Sequence, residues 1–286
     1  MTRTRRRLIP CTLLVALHLN LLAKDPYLWL EEIEGEKALS WVRKQNEVSQ
    51  KAIEGFPFFK EIHDQTLRIL QSDDRIPYFS RRGRQLYNFW QDKEHTRGIW
   101  RRTTLNKYKK DEIDWEIIID IDKLAEEENE NWVYKGVEVL EPTHDLAIVR
   151  LSRGGKDASA YREFDLMTKK FVKDGFQLKE AKSILNWLDH DTTLVATDFG
   201  EGTLTNSGYP RIVKLWKRSQ PLGKAKTLFE GETSDVGIWP FTLRNVETMH
   251  ALVRRSRTFY KGEYHYLDNG NLRNLNLPEG SRTADL

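Results

Sequence analysis

Leu146-Ala-Ile-Val-Arg-Leu-Ser-Arg-Gly-Gly-Lys-Asp-Ala-Ser-Ala-Tyr-Arg-Glu-Phe-Asp165 decides the fold. Residues 146–152 and 159–166 are short runs rich in aliphatic, β-branched and aromatic side chains, and the stretch between them holds two adjacent glycines. Glycine supplies the positive φ that a tight reversal needs, so the whole reads as a β-hairpin. Residues 133–140 precede it across the turn Pro142-Thr143-His144-Asp145, and residues 170–172 follow, which completes a meander of four strands.

The same group recurs on both sides. Upstream, residues 76–80 and 86–91 flank Arg81-Arg82-Gly83-Arg84, with further strands at 98–105 and 115–121. Downstream, residues 183–188, 194–198, 211–216 and 226–230 form a third group whose first turn is Asp189-His190-Asp191-Thr192. A fourth comprises 236–244, 249–256 and 262–267, turns at Asn245-Val246-Glu247-Thr248, and trails off near Leu277. Successive second strands begin near Leu86, Leu146, Leu194 and His250, close to the repeat of about 40–50 residues that marks propeller blades. A small meander buries both faces only when neighbours stack on it, so the expected fold is mainly β: a partial β-propeller of about four four-stranded antiparallel blades. A β-sandwich would show the same strand content without the four-strand reset.

Before residue 73 the apolar period is helical. Ala38, Trp41, Val42, Gln45, Val48 and Ala52 share one face of a helix over 36–55, closed by Gly55 and Pro57. Phe59, Ile62, Thr66, Ile69 and Leu70 do the same over 58–71, ahead of Ser72-Asp73-Asp74. The expected organisation is a signal peptide at 1–23, an N-terminal helical segment at 24–72, and an incomplete propeller at 73–286.

Residues 1–23 pair a basic start, with Arg3, Arg5, Arg6 and Arg7, with the apolar run from Leu8 to Ala23, which is the layout of a secretory leader. Pro10, His18 and Asn20 interrupt that run, and it is short for a stable membrane span. Export to the periplasm or outside the cell is expected, with a mature terminus near Lys24. Twin-arginine export and an organellar transit peptide are the alternatives, and a misassigned N-terminus would leave the product cytoplasmic. The four leader arginines exceed the chain's net charge of +3, so the remainder is slightly acidic, with both signs mixed along its length. That excludes the basic stripe of a nucleic-acid binder. The single cysteine, Cys11, excludes an intramolecular disulfide framework and a Cys-built zinc site.

Asp25-Pro26-Tyr27-Leu28-Trp29-Leu30-Glu31-Glu32, followed by Lys37-Ala38-Leu39-Ser40-Trp41-Val42 and Gln45-Asn46, resembles the entry motif of the prolyl oligopeptidase family of serine peptidases. Residues 151–157 leading to Arg162-Glu163-Phe164-Asp165, and Trp187-Leu188-Asp189 leading to Thr197-Asp198-Phe199-Gly200, resemble blade hairpins of its bacterial members. The resemblance implies a seven-bladed propeller inserted into an α/β-hydrolase peptidase domain on which the helical segment packs. It further implies hydrolysis of short peptides, often after proline, by a Ser/His/Asp triad with no cofactor, the propeller restricting access. The implied partners are short peptides and the α/β-hydrolase domain, in cis or in trans. The family's nucleophile sits in a Gly-x-Ser-x-Gly elbow, and none occurs in these residues, so no catalytic residue is assigned and the chain is expected to be inactive alone. A free-standing propeller-like module that binds peptide or protein is the alternative.

The other chemistry-bearing residues carry no assignment. His63, His95, His144, His190, His250 and His265 show no metal-ligand spacing, and His144 and His190 precede Asp in equivalent turns. Gly154-Gly155-Lys156 lacks the first glycine and the Ser/Thr of a phosphate loop, and Gly200-Glu201-Gly202 lacks the third glycine of a dinucleotide site. Glu126-Glu127-Glu128-Asn129-Glu130 reads as a solvated loop and Glu31-Glu32 as a helix entry. Trp90, Trp100, Trp115 and Trp187 fall on strands, where packing between blades is the expectation. No catalytic, cofactor-binding or metal residue follows from any of these.

Overall fold

The computed structural model describes residues 25–72, 74–110, 112–244, 248–278 and 280–281. The expected leader at 1–23, with Cys11, and most of the turn at 245–248 lie outside them. The chain divides into two units between Ile69 and Leu70.

In the first unit a short 3-10 turn, Leu28–Glu31, leads into α1 (Glu36–Glu54) and α2 (Phe59–Gln71). Trp29 meets the edge of Trp41, with ring centroids 6.2 Å apart, and the Lys37 ammonium lies 4.4 Å over the Trp29 ring, so the entry motif is folded onto the first turns of α1. Much of the apolar face remains open: Val48, Ile53, Ile62 and Ile69 are each more than half exposed. Among the described residues no helix is long and apolar enough to cross a membrane.

The second unit holds four antiparallel sheets, each in sequential strand order. The first contains β1 (Ser80–Arg82), β2 (Gln85–Trp90), β3 (Ile99–Thr104) and β4 (Glu116–Asp120), with a one-turn helix, α3 (Leu105–Tyr108), between β3 and β4. After α4 (Ile121–Glu128), the second contains β5 (Trp132–Val139), β6 (Leu146–Arg153), β7 (Ser159–Asp165) and β8 (Lys170–Phe171), and β9 (Gln177–Ala181) adds a fifth strand by pairing with β7. The third is β10 (Ile184–Asp189), β11 (Thr192–Ala196), β12 (Ile212–Lys217) and β13 (Lys226–Glu230). The fourth is β14 (Gly237–Arg244), β15 (Met249–Ser256), β16 (Gly262–Asp268) and β17 (Asn271–Asn274).

Period-two alternation explains why the sheets stack. Along β6, Ala147, Val149 and Leu151 join a core with Trp100 and Ile119 of the first sheet, whereas Leu146 and Ile148 join a core with Trp187, Val195 and Trp216 of the third. Along β11, Val195 faces the second sheet, while Leu194 and Ala196 pack with Ile238 and Val253 of the fourth. A strand apolar on both faces is thus shared between two interfaces, which makes each sheet a blade. Gly154 and Gly155 have φ of +68° and +81° and form the β6–β7 turn, so the deciding stretch is the hairpin its glycines imply.

Three local expectations are corrected. The first strand lies nearer its turn, at Ser80–Arg82 rather than 76–80, because Gly83, at φ +57°, closes a two-residue hairpin with Arg84. The region after Arg75 is not purely β. Glu126, Glu127 and Glu128 end α4, which Asp120 caps by accepting the Lys123 N–H at 3.0 Å, and which Asn129 terminates at φ +48°. Ile121, Leu124 and Ala125 bury one side of this helix, while Glu127 pairs with Lys123 and Glu128 with Arg162. The second blade has five strands instead of four. Trp100 and Trp187 are buried strand residues as expected, and Trp115 stands just before β4.

Candidate functional site

An antiparallel meander sends successive connections to opposite ends of the blades, so the propeller unit presents two rims of different chemistry. One rim gathers the first turn of each blade. There an added Cβ on Gly83 would lie 3.0 Å from His144 Nδ1, and His190 Nε2 lies 2.9 Å from Asp145 Oδ2. Arg218, in the β12–β13 connection, donates Nη2 to the His190 carbonyl at 2.6 Å and Nε to Asp191 at 3.1 Å. His144 and His190 therefore are turn residues, but their aspartates do more than cap their own turns, since Asp145 ties the second blade to the third. Burial raises the Asp145 pKa, and hydrogen bonds from Thr143 and His190 outweigh it and hold the carboxyl below its usual range.

The other rim carries the β2–β3, β6–β7, β11–β12 and β15–β16 connections. The Arg97 guanidinium donates to Asn131 Oδ1 at 2.7 Å and to the Trp132 carbonyl at 3.0 Å, and the Asp122 carboxylate accepts the Arg97 and Gly98 N–H groups. Arg153 pairs with Glu130 and with Glu180, the latter at 2.7 Å, and Arg162 pairs with Glu128 at 2.8 Å. Glu128 and Glu130 of the acidic run are thus partners for strand arginines, while Glu127 pairs with Lys123 within α4. The loop 197–211 is anchored to the following blade where Asn206 N–H meets the Thr233 carbonyl at 2.7 Å and Ser207 Oγ the Val236 carbonyl at 2.8 Å. Gly200 and Gly202 lie in this loop at positive φ with open space around them, as a loop reading requires. Phe259, 83% exposed, and Tyr260 project from the β15–β16 turn on the same rim.

Between the rims the blade seams hold charged groups that the sequence does not flag. Glu163, 1% exposed, points from β7 into the seam, where Arg218 Nη1 donates to both of its oxygens at 3.0 and 3.1 Å and the Phe176 N–H donates to Oε2 at 2.7 Å. Gly175 is required beside it, since a Cβ there would lie 2.7 Å from Glu163 Oε2. On β5, Glu138 accepts the Trp187 N–H at 3.1 Å through Oε1, and its carbonyl accepts the Trp187 indole N–H at 3.2 Å. Glu138 is half-buried as a residue, yet burial of its carboxylate pushes the pKa up to about 7, against the Trp187 hydrogen bond and the charges of Arg150 and Arg82.

That shift has a definite sign. A carboxyl with a raised pKa holds its proton more tightly folded than unfolded, so its burial favours folding below its ordinary value of 4.5 and loses that advantage as pH rises toward 7. Glu138→Gln is expected to flatten the dependence of the melting temperature on pH in that window and to raise stability at pH 8. An unchanged slope in a melting series from pH 4.5 to 8 would refute the assignment.

Among the described residues no histidine completes a catalytic arrangement. His63 lies beside Asp64 at 3.0 Å on α2, His95 beside Asp92 at 3.1 Å, and His250 between Thr248 Oγ1 and Tyr266 OH at 3.2 and 3.3 Å. His265 sits 4.7 Å from the Phe229 ring, where burial lowers its pKa. In the group Thr143–Asp145–His190 the hydroxyl bonds the carboxylate instead of the imidazole, so the imidazole has no proton to take from it. Among the described residues no group of three or more His, Cys, Asp or Glu could hold a metal ion.

Comparison with known proteins places this architecture. Residues 16–276 match the family model for the prolyl oligopeptidase N-terminal β-propeller domain, a match that begins inside the stretch expected to be a leader. Over 87% of its length the chain is 38% identical to an uncharacterized peptidase of Sinorhizobium fredii, and over 87% it is 30% identical to an uncharacterized peptidase of Rickettsia prowazekii. It spans 35% and 37% of the lengths of those relatives. Among solved structures, a post-proline cleaving enzyme from Rickettsia typhi superposes with a TM-score of 0.82 at 30% identity, over 88% of this chain and 38% of that one. Oligopeptidase B from Leishmania major shares the fold, with a TM-score of 0.68 at 16% identity over 89% of this chain and 35% of that one. The chain belongs to the prolyl oligopeptidase family, and its four blades are those of the family's N-terminal β-propeller domain.

Proposed function

We propose that these residues are the helical segment and propeller portion of a serine endopeptidase that cleaves short peptides, often after proline. The observation that carries this reading is four stacked blades that follow the helical entry motif in sequence, in a chain of this family that contains no Gly-x-Ser-x-Gly. The propeller's part is selection: a ring of rigid blades admits a thin, extended chain and excludes a folded one. The triad is supplied by an α/β-hydrolase domain, in cis or in trans, and the exposed apolar residues of α1 and α2 are the surface that domain covers. No cofactor enters this chemistry. Export by the leader at 1–23 is part of the same proposal.

The purified 286-residue chain is expected to leave a proline-containing fluorogenic peptide uncut, and to co-elute with a separately produced peptidase domain of the family. Hydrolysis by the chain alone would overturn the assignment. The mass of the native product distinguishes the two arrangements, since a species far above 33.7 kDa carries the peptidase domain in cis. Terminal sequencing of that product is expected to begin near Lys24, and a retained Met1 would remove the leader from the proposal.

A further inference from the structure

The first blade contains an unfilled strand position. β3 pairs with β2 along its whole length, from Gln85 opposite Thr104 to Trp90 opposite Ile99. On the other edge β1 reaches only as far as Tyr87, opposite Ser80. The two-residue turn makes Arg82 and Gln85 the hydrogen-bonded pair that closes the hairpin. In an antiparallel ladder the inward-bonding residues alternate, so Gln85, Tyr87, Phe89 and Gln91 turn their N–H and C=O groups toward the β1 side. The Gln91 carbonyl accepts a hydrogen bond from Arg75 Nη2, while Phe89 has no backbone partner on that side among the described residues.

Residues 75–79 run past this edge without pairing to it. The Tyr78 N–H turns back to the Ile76 carbonyl at 2.9 Å, and the Tyr78 carbonyl accepts the Asn88 side-chain amide at 2.7 Å. The space left between segment and edge is a cavity of about 660 Å³, whose walls include Arg75, Tyr78, Phe79, Phe89 and Trp90.

Its electrostatics lean positive, two guanidinium groups standing against the Asp92 carboxylate, which accepts the Trp90 indole N–H at 3.1 Å. The guanidinium groups of Arg75 and Arg101 both lie 4.5 Å from the centre of the Trp90 ring, and Arg101 also lies 4.4 Å from that of Trp115. Arg75 gives Nε to the Ser72 carbonyl and Arg101 gives Nε to Asn88 Oδ1, and neither makes an ion pair among the described residues. Burial pushes the Arg101 pKa down to about 10, and the charge of Arg75 adds to the fall against the opposing pull of Asp92. Arg75 at the cavity wall, with Arg101 on the same indole and Asp92 the opposing charge there, leaves a surplus of positive charge beside the strand slot, which fits an occupant that brings both backbone groups and a negative charge.

We propose that this slot binds an extended peptide by β-strand addition to β2, its backbone bonding Phe89 and its free C-terminal carboxylate facing Arg75. A phosphate ion would use the charge but leave the Phe89 donor and acceptor and the aromatic walls without a role, and a neutral strand would leave the surplus positive charge of the two arginines over Asp92 unmet. The site is a binding function of these residues themselves and stands whether or not they serve a peptidase.

The test titrates the 286-residue chain, followed by tryptophan fluorescence and calorimetry, with a short N-acetylated peptide of alternating Thr and Val. The free acid is expected to bind, more weakly as salt rises, and its C-terminal amide to bind about tenfold more weakly, the worth of one charge-assisted hydrogen bond. N-methylation at the amides facing Phe89 is expected to abolish binding, and N-methylation at the alternate amides to leave it intact. Arg75→Met should weaken the acid to the level of the amide without altering the amide. These peptide changes leave the protein untouched, so folding cannot mimic them. No binding of the acid at millimolar concentration, equal affinity of acid and amide, or indifference to N-methylation would each overturn the proposal. Inorganic phosphate displacing the acid at equal affinity would reduce the slot to an anion site and overturn it as well.

Discussion

Glu163→Ala is expected to destabilise the propeller unit by about 3–5 kcal/mol, because it removes the buried half of an ion pair and, with it, the acceptor of a buried backbone N–H. Glu163 accepts both Arg218 bonds and the Phe176 N–H in a seam where only 1% of its surface is exposed. Arg218 would keep Asp191 and the His190 carbonyl, which lie toward the rim, so the loss falls on the seam more than on the turn. Phe176 would lose its N–H acceptor, and its ring, which packs on Trp187 and Trp216, would lose its anchor. Glu163→Gln separates the contributions, since the amide oxygen can still accept from Phe176 while the charge is gone, and it is expected to cost less than the alanine change. Urea denaturation of both variants measures this. A Glu163→Ala midpoint equal to that of the parent would show that the pair contributes nothing to holding the second and third blades together.

How much of this was legible in the sequence depends on the length scale of the cause. The hairpins were legible because their causes are local: Gly154 and Gly155 at the turn, and apolar residues on both faces of residues 146–152. The helices α1 and α2 were legible from their period, although nearly all of their apolar face is open in this chain. The helix α4 was hidden because it is short and ends in glutamates, and its evidence, a capping Asp120 and three buried apolar residues, resembles a strand running into a loop. The strand β9 was hidden because its partner β7 was already paired on both edges along the chain, to β6 and β8. The seam groups were out of reach altogether: Glu163 and Arg218 lie 55 residues apart, and nothing in either neighbourhood names the other. The same holds for the empty slot beside β2, which exists because β1 is shorter than the strand it pairs with.

Trp187→Ala should produce a loss of similar size, about 3–5 kcal/mol, by a different route. The ring is 3% exposed and fills the core between the second and third blades, with Phe176 edge-on at a centroid distance of 5.6 Å. Its removal leaves a cavity that Leu146, Ile148 and Val195, fixed in their strands, cannot close. It also leaves the Glu138 carbonyl without the indole N–H. Trp187→Phe retains most of the apolar volume and should cost less, the remainder measuring the lost hydrogen bond and the unfilled ring space. The informative measurement is the pair Glu163→Ala and Trp187→Ala in one chain. Both act on Phe176, one through its backbone N–H and the other through its ring, so the double variant should fall short of or exceed the sum of the singles by about 0.5–3 kcal/mol. Strict additivity would mean that the two side chains stabilise separate seams, and that Phe176 does not carry the coupling between the buried ion pair and the aromatic core.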